Sequence, residues 1–126
     1  MLAEGSSKGY GEGGRFAVYL PIIAKFNKSG ELFRIEGECR SACTLFLSIR
    51  NVCIDRDAVL SFHAGPDRVT HKWGRDSSST KTLLAAYKPK LKHYLLNGHH
   101  VDTPEYHTLK GAALIDDFGY PACKGR

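Results

Sequence analysis

Two side chains in this sequence have types and surroundings suited to acyl chemistry: Ser41 and His63. A serine hydroxyl is a weak nucleophile until a base removes its proton. A neutral imidazole is the usual base, because its pKa lies near working pH. Ser41 stands in Gly37-Glu38-Cys39-Arg40-Ser41-Ala42-Cys43-Thr44, where a helix is expected to begin. His63 ends the apolar run Leu60-Ser61-Phe62-His63-Ala64. A third piece, Gly13-Gly14, precedes another expected helix. Free N–H groups at a glycine turn and at a helix start can stabilise an oxyanion. Gly13 or Gly14 and Ala42 are the candidates. The competing reading of Ser41 is a plain N-cap, that of His63 a structural histidine, and that of the glycines a simple turn.

The elements that must position these residues follow from periodicity. Residues 1–14 read as a flexible lead, rich in Gly and Ser. Phe16, Tyr19, Leu20, Ile23 and Phe26 recur at helical spacing and predict a helix over about 15–28. Pro21 should kink it, and Ser29-Gly30 should stop it. Leu32 to Glu36 reads as a strand. A second helix is predicted from Ser41, with Ala42, Leu45, Phe46 and Ile49 on one face. Val52–Asp55 and Val59–His63 read as strands around the turn Asp55-Arg56-Asp57. Residues 66–79 form a loop. A third helix is predicted over about 79–96, kinked or broken at Pro89. Thr103-Pro104-Glu105 reads as the start of a last helix with Pro at its first position, ending at Gly119. Strands alternating with helices predict an α/β fold in one domain over 15–126.

Composition narrows the class. The chain has 126 residues, 42% hydrophobic and 25% charged, which predicts a globular, soluble domain. No apolar run of about 18 residues occurs, so no membrane partner is expected. The net charge is +5, with basic residues scattered apart from Lys88, Lys90 and Lys92. A solvated helix face accounts for these lysines better than a nucleic-acid patch does. No signal peptide is read at the N-terminus. Either a leader has been removed or the chain is cytoplasmic.

The ordered set Gly-Gly, helix, strand, Gly-x-x-x-Ser-Ala, helix, strand ending in Phe-His resembles the proteolytic subunit of Clp protease and its crotonase-superfamily relatives. The segments Cys39-Arg40-Ser41-Ala42-Cys43-Thr44, Val52-Cys53-Ile54 and Leu60-Ser61-Phe62-His63-Ala64 are most similar to uncharacterised, mostly secreted or periplasmic bacterial members. The resemblance spans about Gly13 to Cys123. It implies a small sheet covered by helices and a serine hydrolase of Clp-like type. Ser41 would be the nucleophile, His63 the base, and Gly13 and Ala42 the oxyanion donors. The substrate would be a peptide or small acyl compound, with no cofactor or metal, and the protein would be a homo-oligomer. A catalytically silent secreted domain acting in binding or assembly is the alternative.

Two departures stand out. The resemblance aligns Tyr106 with the orienting aspartate, leaving Glu105 as the preferred third catalytic residue and Asp102 and Asp116 behind it. The superfamily also has a strand before the glycine turn, and residues 1–13 do not read as one, so the fold is expected to be N-terminally shortened or degenerate. The four cysteines, Cys39, Cys43, Cys53 and Cys123, permit two disulfides in three connectivities. Cys43–Cys53 with Cys39–Cys123 is the preferred pairing, and a periplasmic or secreted location goes with it. A zinc site around Cys39 and Cys43 is disfavoured, because no second pair with ligand spacing follows. His93, His99, His100 and His107 read as a solvated histidine-rich turn rather than a metal site.

Overall fold

The computed structural model describes residues 5–125. Two three-stranded sheets form its frame. The first is all parallel, in the order β1 (Gly5–Ser6), β2 (Phe33–Ile35), β4 (Val52–Ile54). The second pairs β3 (Glu38–Arg40) parallel to β5 (Val59–Phe62), with β6 (His107–Lys110) antiparallel on the other side of β5. The chain passes from the first sheet to the second twice. β2 turns into β3 at Gly37, whose φ of 65° favours glycine. β4 turns into β5 through Asp55-Arg56-Asp57. Fold class is therefore α/β, with two small sheets where one was expected.

Helix α1 (Phe16–Ser29) joins β1 to β2 and buries Tyr19 and Ile23. Pro21 lies inside it but on an exposed position. Gly30 ends it in the left-handed region, its N–H returning to the Phe26 carbonyl. Under α1, Tyr19 and Phe33 both pack on Phe46, at ring separations of 5.2 and 4.4 Å. Phe33, Ile35 and the whole of β4 are buried, as suits short parallel strands covered on both faces.

Three expectations are corrected. Residues 5–7 are not a bare lead: Gly5 and Ser6 pair with Phe33 and Arg34, and Ser7 is buried against Glu36. This supplies a strand before the glycine turn. It escaped detection because two residues are too few to show alternation. The helix at Ser41 is a 3-10 helix, Ser41–Ser48. Residues 42–47 are all buried, so it has no polar face to signal a 3.6-residue period. No helix starts at Pro104. Residues 101–105 turn instead, β6 follows, and the short helix α4 (Gly111–Asp116) comes after it.

The predicted third helix breaks at Pro89, giving α2 (Ser78–Ala85) and α3 (Pro89–Asn97) with Pro at the first position. Ser77 caps α2, accepting from the Thr80 N–H at 3.1 Å. The described residues contain no helix long and apolar enough to cross a membrane.

The two disulfides are Cys39–Cys43 and Cys53–Cys123, so the expected pairing is wrong. β3 and β4 lie in different sheets, which separates Cys39 and Cys43 from Cys53. The chain end instead runs beside β4, where the Cys123 N–H reaches the Ile54 carbonyl.

Candidate functional site

Ser41 is one of three non-glycine residues with positive φ, at 52°, among those described. The left-handed region costs a side-chain-bearing residue energy and persists only where its surroundings enforce it. Those surroundings are specific. Arg40 at the end of β3 donates its N–H to Gly11 O at 2.8 Å. The Ser41 carbonyl accepts from Thr44 Oγ1 at 2.6 Å. Thr44 Oγ1 lies 2.5 Å from Tyr87 Oη, which donates because the threonine proton is already committed. Burial raises the Tyr87 pKa, so it stays a protonated donor.

The turned serine points at His63. Its Oγ lies 2.9 Å from His63 Nε2. His63 Nδ1 lies 3.0 Å from the backbone carbonyl of Pro104. A carbonyl only accepts, so Nδ1 carries the proton in the neutral ring. Nε2 is then the free acceptor for the serine hydroxyl. The two residues before Pro104 are each tied down. Ala64 donates its N–H to Thr103 O at 2.9 Å. Arg75 binds Asp102 through Nε at 2.6 Å and Nη2 at 3.1 Å. The arginine holds the Asp102 carboxyl below its ordinary range, helped by His99.

Among the described residues, the hydrogen bonds of His63 go to Ser41 and Pro104 and to none of the three acids expected behind it. Glu105 is exposed, and its N–H turns to Thr103 Oγ1. Asp102 is committed to Arg75 and His99, and Asp116 to Arg56 at 2.7 Å. Tyr106, aligned with the orienting aspartate, does touch His63, but as a ring stacked at 4.5 Å. Trp73 meets the imidazole edge-on at 5.8 Å. No residue type announces a backbone carbonyl, so sequence reasoning missed the group behind the histidine.

The glycine turn is where the donor hypothesis needs it. Gly13 has φ of 83°, and a Cβ built on it would lie 3.1 Å from Ser41 Cβ and 3.5 Å from Ala42 N. Its own N–H, however, goes to Tyr10 O at 3.3 Å. The neighbouring Gly14 N–H has no protein acceptor among the described residues, which moves the candidate donor on by one. The Ala42 N–H lies in the first turn of the 3-10 helix, where no intrahelical acceptor exists.

Ser41 and His63 open on a cleft of about 1050 Å³. Phe16, Ala17 and Leu20 of α1 line one side, and Trp73, Tyr106 and Leu83 also border it. Comparison with known protein families, curated proteins and solved structures finds no match. The site must be read from its own geometry.

The remaining polar clusters lie elsewhere. His100 and His107 stack at 3.4 Å, and Tyr94 Oη lies 2.8 Å from His107 Nε2. Burial, then His100, holds the His107 pKa below its ordinary value. His93 is exposed and His99 faces Asp102. No group of three ligands among the described residues is arranged for a metal. Cys39, Cys43, Cys53 and Cys123 are all consumed by the disulfides.

Proposed function

We propose that the chain is a serine hydrolase acting on a peptide or small acyl substrate, with Ser41 as nucleophile and His63 as base. The observation that carries this reading is the line of Ser41 Oγ, His63 and Pro104 O, with a hydrogen-bonding separation at each step. A capping serine does not require a left-handed backbone, nor an imidazole held in one tautomer at its hydroxyl.

In the proposed reaction, Ser41 Oγ attacks the substrate carbonyl as His63 Nε2 takes its proton. The oxyanion forms beside the Ala42 and Gly14 N–H groups. The imidazolium passes its proton to the leaving group as the bond to that group breaks. Water then repeats the sequence on the acyl-serine, its proton going first to His63 and then back to Ser41. The Pro104 carbonyl fixes the tautomer but brings no full negative charge to the imidazolium. Acylation should therefore be slower than with an orienting carboxylate.

The sequence resemblance to the Clp and crotonase superfamily supports the same assignment, and parallel strands with a serine at a helix start are compatible with it. Two disulfides fit an oxidising compartment, so we place the protein in the periplasm or outside the cell.

A fluorophosphonate probe tests the reaction. It should label Ser41, and Ser41→Ala should abolish labelling while far-UV circular dichroism is unchanged. Folded wild-type protein that stays unlabelled at large probe excess would instead assign the cleft to binding in a catalytically silent domain.

A further inference from the structure

One disulfide spans the proposed nucleophile. Cys39 is the buried middle residue of β3, Cys43 is the third residue of the 3-10 helix, and Ser41 is midway between them. Both cysteines are fully buried. The loop that the bridge closes holds Arg40 in an extended conformation and Ser41 at φ of 52°. Its Cα atoms are 5.2 Å apart over a separation of four residues. Such a short loop removes little freedom from the unfolded chain, since the entropic gain of a cross-link grows with loop length. The other bridge spans 70 residues and is the better placed of the two to stabilise the whole fold.

We infer that the Cys39–Cys43 disulfide is a positioning device for the nucleophile: it holds the Ser41 backbone turned so that Oγ meets His63 Nε2. The inference rests on the hydrolase reading of Ser41 and adds the means by which that serine is held. Other groups bear on the same residue: the Gly13 turn, and Thr44, which Tyr87 holds in turn. None spans Ser41 covalently on both sides. Without the bridge, the strand end and the helix start can separate and Ser41 can relax to an ordinary conformation. Oγ then leaves the imidazole.

The experiment compares fluorophosphonate labelling rates of three proteins with thermal unfolding followed in parallel. Wild type should label. Cys39→Ala/Cys43→Ala should label roughly tenfold more slowly or worse, the scale expected when a left-handed residue is freed to relax. Its unfolding midpoint should change less than that of Cys53→Ala/Cys123→Ala, whose labelling rate should stay near wild type at temperatures where it is folded. Equal labelling by wild type and Cys39→Ala/Cys43→Ala would overturn the inference while leaving the hydrolase reading intact. An unlabelled wild type would overturn both. Should Cys39→Ala/Cys43→Ala not fold, wild type treated with a dithiol decides. Labelling must then fall in step with the appearance of the Cys39 and Cys43 thiols and return on reoxidation. Labelling that persists after both thiols are alkylated would overturn the inference.

Discussion

At the scale of residues, the site is an arrangement of small, dipolar groups around one turned serine. Glu105 is the first of three carboxylates that the sequence suggested for orienting His63, and the structure leaves it exposed. Glu105→Gln should therefore leave the labelling rate at Ser41 unchanged. A severalfold loss would return the third role to that carboxylate. Thr44 is different. It joins Ser41 O to Tyr87 Oη in a fully buried position. Thr44→Val removes both bonds and strands the tyrosine hydroxyl without its partner, at a cost of about 1–3 kcal/mol. Denaturant unfolding should show that loss, and labelling should slow as the Ser41 carbonyl is released. That Ser41, His63 and the glycine turn lie together was legible because each is a residue type with a chemical meaning in a meaningful order. Which glycine N–H is free was less legible, since that depends on a turn bond from Gly13 to Tyr10.

At the scale of elements, α1, β2, β4 and β5 were legible from periodicity and apolar runs, and the break at Pro89 from proline stereochemistry. β6 was not. His107, Thr108, Leu109 and Lys110 alternate between half-buried and exposed, and only Leu109 is aliphatic, so the strand exists by pairing with β5. Residues 66–73 were read as loop, and they form a hairpin closed by the Pro66–Trp73 bridge. Asp67 staples it: its carboxylate accepts the N–H groups of Thr70, Ser78 and Val69, which lower its pKa to about 2. A carboxylate with a depressed pKa contributes order that is present above its ordinary value, 3.8, and lost as pH falls towards about 2. Trp73 is the single tryptophan and sits on this hairpin beside His63. Its fluorescence should therefore change between about pH 4 and 2, and Asp67→Asn should show the low-pH signal already at neutral pH. An identical titration in Asp67→Asn would show that the hairpin is held by something else.

At the scale of the whole molecule, residues 121–123 are bridged to the edge of the first sheet. Ile54 N–H reaches Pro121 O and Cys123 N–H reaches Ile54 O, so the tail lies alongside β4 as an added parallel edge. Cys53–Cys123 makes that attachment covalent. A bridge closing a loop of this length is worth about 4 kcal/mol in the chain-entropy account, against about 2 for the short one. Cys53→Ala/Cys123→Ala should accordingly lose most of that in chemical denaturation, with the midpoint reporting it. A loss no larger than that of Cys39→Ala/Cys43→Ala would show that the long bridge is strained or that the unfolded chain stays compact. The pairing itself could not be read from four cysteine positions, because it depends on which sheet each strand joins.

The group behind His63 belongs to no side chain. Replacing Pro104 by any other residue keeps a carbonyl there, so under the proposed hydrolase reading a substitution scan of this protein would return two positions for a three-part arrangement. What such a scan can disturb is the placement of residues 102–104. The revealing substitutions would be Arg75→Ala and Asp102→Ala, which leave Ser41, His63 and the carbonyl in the chain and remove an ion pair two residues before Pro104.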